Sequence, residues 1–291
     1  MSRFAHLQAR IFNRPVAIHP EKAEIITAAL ADRLGIIRIG GAEARTSAMF
    51  DELDETYGLS EWVGGADMGY DVVDGIAVLP IRGTLTQRLG LLRPYSGMTG
   101  YDGIRQSFCT ALEDPAVNAI MLDVDSPGGE VAGCFDLADM IFSARGAKPI
   151  WAMANECAYS AAYAIACAAD KVVLPRTGGV GSVGVVCMHI DLSEALSKAG
   201  IAVTLIQYGA HKTDATDVKP LSTPAQMRLQ ADIDMIGALF VNTVAKFRGM
   251  TPAAVKATEA ATFQGQAGVA AGLADAVMAP DAAFAALLAE L

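Results

Sequence analysis

The stretch Ile120-Met121-Leu122-Asp123-Val124-Asp125-Ser126-Pro127-Gly128-Gly129-Glu130 runs from a continuous apolar segment into a proline-glycine turn and on into a helical pattern over 131–145. A strand that is apolar on both faces belongs to a parallel sheet covered on both sides. Similar β-branched runs at 76–81, 150–154, 171–174, 183–188 and 201–206 alternate with helical patterns at 101–113, 161–169 and 192–199, the last closed by Gly200. Strand, helix, strand in that order predicts an α/β domain, a largely parallel sheet covered by helices. A long amphipathic helix is expected over 224–248, with Leu229, Ile233, Ile236, Phe240, Val244 and Phe247 on one stripe, and the alanine-rich tail from Met250 reads as helical.

Before residue 69 the pattern differs. Helical periodicity over 21–34 ends at Gly35, and an acidic segment over 43–57 precedes Gly64-Gly65. We therefore expect a helical N-terminal extension, 1–68, and one main domain, 69–291. Composition narrows the function. The 22 Lys+Arg against 32 Asp+Glu give a net charge of −10, which argues against general nucleic-acid binding. The 53% hydrophobic content indicates a folded, core-rich chain. No uncharged apolar run approaches the ~18 residues of a spanning helix, and the N-terminus lacks a secretory signal's apolar stretch. The expected setting is cytoplasmic. The five cysteines are odd in number and show no Cys-x-x-Cys spacing, as expected of buried reduced thiols rather than disulfides or metal ligands.

In the Pro127-Gly128-Gly129 turn, unhindered N–H groups are expected at a helix N-terminus at the carboxyl end of the sheet. That geometry stabilises a phosphate or an oxyanion, although an ordinary strand-to-helix turn has the same sequence signature. A second such junction follows. Residues 150–154 are strand-like, 155–159 turn, and Ser160 opens the small-residue helix. A serine there sits as a nucleophile-elbow serine does, or else simply caps the helix. A nucleophile needs a base. His189, with Asp191 to orient it, is one candidate. Lys212, in a loop after the run 201–206, is the other, provided desolvation lowers its pKa. Gly179-Val-Gly181-Ser182-Val-Gly184 matches the letters of a dinucleotide fingerprint, but a strand follows it where a helix should start, so no cofactor is expected.

Together, Asp-Ser126-Pro-Gly-Gly129, Ala-Tyr-Ser160-Ala-Ala-Tyr, Thr-Gly-Gly-Val-Gly-Ser182-Val-Gly-Val and Gly-Ala-His-Lys212 resemble the signal peptide peptidase A family of Ser/Lys peptidases, with the best match in its bacteriophage head-maturation branch, the lambda protein C type. The 52 residues between Ser160 and Lys212 match that family's spacing, and the similarity runs from about Tyr70 to Val277. The resemblance implies a ClpP/crotonase-like fold, Ser160 as nucleophile, Lys212 as general base and Ser182 orienting the lysine amine. It also implies an oxyanion hole from the N–H groups of Gly129 and Ala161, substrate contacts at Gly128 and Gly181, and no metal or cofactor. The partners implied are capsid, portal or scaffold proteins and further copies of the chain. The setting implied is the host cytoplasm or an association with the procapsid. Three alternatives stand beside this: a signal-peptide-degrading or quality-control peptidase, a crotonase-like acyl-CoA enzyme, and a non-catalytic procapsid component.

Overall fold

The computed structural model describes residues 14–20, 22, 69–89 and 97–291. The helix expected over 21–34, apart from Lys22, the acidic segment 43–57 and the Gly64-Gly65 hinge lie outside the described residues. The central sheet is built from β2 (Asp71–Val73), β3 (Ile76–Arg82), β6 (Ala119–Ser126), β8 (Ile150–Tyr159), β10 (Gly179–Gly181) and β12 (Thr262–Gln264). Their order across the sheet is β12-β10-β8-β6-β3-β2. Two further strands join it: β9 (Lys171–Leu174) also pairs with β8, and β13 (Ala276–Val277) pairs with β9. All the inner pairings are parallel, and only the edge strands β2 and β12 run antiparallel. This is the α/β class expected. In the centre of β3, β6 and β8, residues pointing to either face are buried, which is why these strands lack a polar-apolar alternation.

One face packs on α1 (Tyr101–Glu113), α2 (Cys134–Ser143), α3 (Ala161–Ala166) and, beyond the short α4 (Ser193–Lys198), on α5 (Thr223–Arg248). Phe108, Leu137, Ile141, Tyr163, Phe240 and Phe247 share a single core there. Two short helices follow, α6 (Pro252–Lys256) and α7 (Gln266–Ala270). The other face packs on α8 (Pro280–Leu288), whose Ala283 and Leu287 meet Ile76, Met121, Trp151 and Val173. α5 starts with Ser222 accepting the Ala225 N–H and stops at Gly249 in the left-handed region, so both ends are capped. Its expected stripe is buried at Phe240, Val244 and Phe247 and half-buried at Leu229, Ile233 and Ile236. Among the described residues no helix is long and apolar enough to cross a membrane.

A second, five-stranded sheet is built from β1 (Pro15–Ile18), β4 (Thr84–Thr86), β5 (Met98–Gly100), β7 (Gly128–Glu130) and β11 (Val186–Cys187), in the order β11-β1-β7-β4-β5. Several expectations are corrected here. The Pro127-Gly-Gly turn does not enter a helix directly. Gly128–Glu130 form β7, held between β1 and β4, and α2 begins only at Cys134 after Gly133 in the left-handed region. β8 does not stop at Ala154. It passes an irregularity between the Val124 and Ser126 pairings and continues to Tyr159, because its first half pairs with β9 and its last residues pair with β10. The strand expected over 183–188 shrinks to β11 at Val186–Cys187, and β10 lies ahead of it, with Ser182 after β10 at φ +55°. The run 201–206 pairs with nothing among the described residues and is exposed along its length. The tail from Met250 is not all helix, because β12 completes an edge of the central sheet and β13 extends it beyond β9.

Candidate active site

β8 and β10 run parallel in the register Val180↔Ala158 and Gly181↔Tyr159, so the residues that follow, Ser182 and Ser160, emerge side by side at the carboxyl end of the sheet. The Ser160 N–H donates to the Gly181 carbonyl at 2.8 Å, and the Ser182 N–H donates to the Ala261 carbonyl at 2.9 Å. Ser160 adopts φ 55°, ψ −122°. A non-glycine residue occupies that region only when its surroundings hold it there, and such strain concentrates at functional sites. Its hydroxyl does not cap α3, which removes the capping interpretation. Among the described residues that hydroxyl makes one hydrogen bond, to the Gly184 carbonyl at 3.4 Å. The next N–H, that of Ala161, belongs to the first helical residue and so has no acceptor within the helix.

Ala161 to Ala169 are wholly buried. The alanines among them let α3 lie close under β6 and β7, and Arg145 fixes its far end by donating to the carbonyls of Cys167, at 2.9 Å, and Ala168, at 2.8 Å. Facing Ser160 is β7. A methyl group on Gly128, which has φ +99°, would lie 3.0 Å from Ser160 Cβ and 3.0 Å from the Tyr159 carbonyl oxygen. A methyl group on Gly129 would overlap the Leu85 carbonyl oxygen. Both glycines permit a close backbone approach that any side chain would block. Ser126, to which the sequence reading assigned no role, is fully buried, accepts the Gly128 N–H at 3.1 Å and donates to the Gly83 carbonyl at 2.7 Å. It thereby ties the glycine strand to the β3–β4 turn. Its signal was present in the Asp-Ser-Pro-Gly-Gly motif, but a serine in a turn carries no mark of whether its hydroxyl faces solvent or backbone.

The structure therefore brings together Ser160, Ala161, Gly128, Gly129, Gly181 and Ser182. Ser182 supports its glycine-rich turn through its backbone, its carbonyl accepting the Gly184 N–H at 2.9 Å, and among the described residues its hydroxyl makes no hydrogen bond. Lys212 is not brought in. Every residue from Ser197 to Lys212 is exposed, and among the described residues no hydrogen bond or ion pair joins Lys212 to Ser160 or Ser182. His189 is half-buried and is not hydrogen-bonded to Ser160. The Ser193 hydroxyl, helped by the Ser193 N–H that Asp191 accepts at 2.9 Å, holds the Asp191 carboxyl below the usual range.

Burial pushes the thiols of Cys134 and Cys167 up to about 12, and burial together with the nearby Asp125 carboxylate does the same for Cys157. A thiol reacts through its thiolate. At pH 8 these three should therefore react with Ellman's reagent far more slowly than in denaturant, where all five thiols should react at once. Rapid labelling of Cys134 or Cys167 in the native protein would contradict the packing of α2 against α3.

A strained serine at a strand-to-helix elbow, with the first helix N–H next to it and a glycine strand opposite, is an arrangement that can present a hydroxyl and a backbone N–H together on an α/β scaffold. Residues 143–291, just over half the chain, match Peptidase family S49, and the chain belongs to that family. It is 40% identical to the head-tail preconnector protein GP5 of Enterobacteria phage P21 over 93% of this chain and 54% of that protein. It is also 40% identical to the capsid assembly protease C of Escherichia phage lambda, over 93% of this chain and 62% of that protein. Protease 4 of Salmonella typhi is 30% identical over 62% of this chain and 29% of its own length. The chain thus spans between half and two-thirds of the two phage relatives. Among solved structures, a substrate-peptide complex of a mutant 1510-N membrane-bound stomatin-specific protease aligns at TM-score 0.42 with 15% identity, covering 72% of this chain and 77% of that one. A mutant ClpP1 from Listeria monocytogenes aligns at TM-score 0.43 with 12% identity, covering 70% and 93%.

Proposed function

We propose that the chain is a serine endopeptidase of phage head assembly, with a peptidase domain over 69–291 and an extension over 1–68. The observation that carries this is the Ser160 elbow: a strained, uncapped serine facing Gly128 across a gap with no room for a side chain. In this reading the Ser160 hydroxyl oxygen attacks the scissile carbonyl carbon while neutral Lys212 takes the hydroxyl proton. The oxyanion is received by the N–H groups of Gly129 and Ala161, and collapse expels the amine, which regains the proton. Water then hydrolyses the acyl-enzyme. Ser182 orients the lysine amine, and Gly128 and Gly181 shape the substrate's path.

The exposed arm 197–212 supports completion of the site between copies of the chain. Ile201, Val203, Leu205 and Ile206 form a strand-prone run without a ladder partner among the described residues. Met227, Met235 and Leu239 leave an apolar, exposed flank on α5. A second copy laid over the arm would cover this surface, pair its backbone and exclude water from Lys212, which is what a lysine base requires. In this reading the setting is the host cytoplasm or the procapsid and the substrates are capsid, portal or scaffold proteins; the name of one phage relative, a capsid assembly protease, supports a role in capsid assembly.

The test is co-expression with phage head proteins, comparing their termini by mass spectrometry in the presence of the active chain and of its Ser160→Ala form. New termini made only by the active chain are expected. Identical termini would overturn the assembly role, and a thermal shift with acyl-CoA in the absence of any cleavage would favour the crotonase-like alternative.

A further inference from the structure

β1 comes from the N-terminal arm, some fifty residues ahead of the next described segment, yet it fills a slot beside Ser160. It runs antiparallel to β7, with Val16↔Glu130, Ala17↔Gly129 and Ile18↔Gly128 in register. On its other side it runs antiparallel to β11, with Pro15↔Cys187 and Val16↔Val186. The His19 N–H donates to the Pro127 carbonyl at 2.8 Å, and the His19 ring stacks on Tyr159, the residue before the nucleophile, at 5.1 Å between centroids. The Ala17 carbonyl oxygen and Ser160 Cβ both lie within 3.0 Å of the point where a Gly128 methyl group would be. Take β1 away and β7 and β11 are left facing each other across a gap one strand wide, each with an open backbone edge. An extended peptide binds such an edge by main-chain pairing, with its alternate side chains read by pockets.

We propose that Pro15–Ile18 is an intramolecular stand-in for substrate. It closes the peptide slot until it is displaced, and its side-chain pattern reports what the slot accepts. This deepens the peptidase reading and rests on it. Val16 and Ile18 are buried against Val186 and Met188, so two alternate positions of the peptide take β-branched apolar residues. Ala17, buried between them, turns into the main core opposite Gly129, so the intervening position takes a small residue. Beyond Pro15 the slot opens into a cleft of about 310 Å³ lined by Gln87, Glu130, Val131, Ala132 and Ile236, where the preceding part of a longer peptide would lie. The preferred substrate is thus an extended segment with an apolar, small, apolar triplet beside the scissile bond.

The experiment compares the full-length chain with its Val16→Lys, Ile18→Lys double variant, using a fluorescent peptide of the sequence Arg14-Pro-Val-Ala-Ile-His-Pro20. Binding is measured in the Ser160→Ala background, so that it does not depend on catalysis. Where the native strand holds the slot closed nine-tenths of the time or more, ejecting it raises apparent affinity by about tenfold or more. Replacing the peptide's alanine by leucine should abolish that gain. In the wild-type chain, which needs no substitution, excess peptide should speed amide hydrogen exchange at Val16, Ala17 and Ile18. Unchanged affinity in a folded double variant, or unchanged exchange of those amides under saturating peptide, overturns the proposal. Fluorophosphonate labelling of the otherwise native enzyme separates the two claims. No labelling of Ser160 together with tighter peptide binding removes the peptidase reading and keeps the slot, whereas labelling without any gain in binding does the reverse.

Discussion

Replacing Ser160 by alanine should reduce peptide-bond cleavage by about 10⁴-fold or more while leaving the fold intact, because catalysis without the nucleophile retains only the oxyanion and binding contributions. The structure adds a second signature. Ser160 sits at φ 55°, ψ −122°, a region suited to glycine. Ser160→Gly should therefore be at least as stable as Ser160→Ala and equally inactive, which would show that the strain is retained for the hydroxyl's position. Lys212→Ala should match the loss of activity seen for Ser160→Ala. Since Lys212 is exposed in the single chain, activity per chain should also fall on dilution, as copies separate. Ser182→Ala should cost less, within the roughly 10²- to 10⁴-fold range of general-base assistance. Peptidase assays across protein concentration, with light scattering on the same samples, check all of this. A fully active Lys212→Ala chain would return the base to His189, and an active monomer at high dilution would rule out completion of the site between copies.

The sequence spoke clearly wherever a segment's fate was decided by its own side chains. β9 and α1 fall where their apolar patterns put them, and Ser160 stands at its expected elbow, because burial on two faces or on one stripe leaves a periodic mark. The parts that were not legible are those fixed by distant partners. Gly128–Glu130 read as a turn into a helix, since nothing local says that β1 and β4 will bracket it. The second half of β8 read as a turn for the same reason. Its residues alternate poorly, and pairing with β10, and with Ser126 of β6 at Ala158, keeps them extended. Conversely, 201–206 read as a strand because its β-branched residues suit one, but propensity without a ladder partner leaves an exposed arm. The candidate site divides along the same line. Ser160 and Ser182 follow adjacent parallel strands within one chain, so their motifs foreshadow that they meet, whereas Lys212 lies on the exposed run that no strand holds beside them.

Gly129→Ala is expected to damage fold and site together. The added methyl carbon would overlap the Leu85 carbonyl oxygen and lie 2.5 Å from its carbon and 2.6 Å from the Leu85 nitrogen. All three are backbone atoms of β4, so no side-chain rotation can relieve the contact, and β7 cannot retreat because β1 lies on its other edge. Either β4 separates from β7 or the Gly129 backbone rotates and its N–H changes direction. The first outcome destabilises by the roughly 1–3 kcal/mol of overpacking, with more expected against backbone, and the second, on the proposed mechanism, removes an oxyanion donor, at about 10²- to 10³-fold in rate. An internal control lies in α5. Gly237 has nothing within 4 Å of the position a methyl group would take, so Gly237→Ala should instead stabilise the chain by roughly 0.5–1 kcal/mol through helix propensity. Thermal melts and peptidase assays of the two variants side by side should move stability in opposite directions, with activity lost only in Gly129→Ala. A Gly129→Ala chain that melts with the wild type and cleaves at its rate would mean that β7 does not pack on β4 as described and that its N–H does not serve the oxyanion.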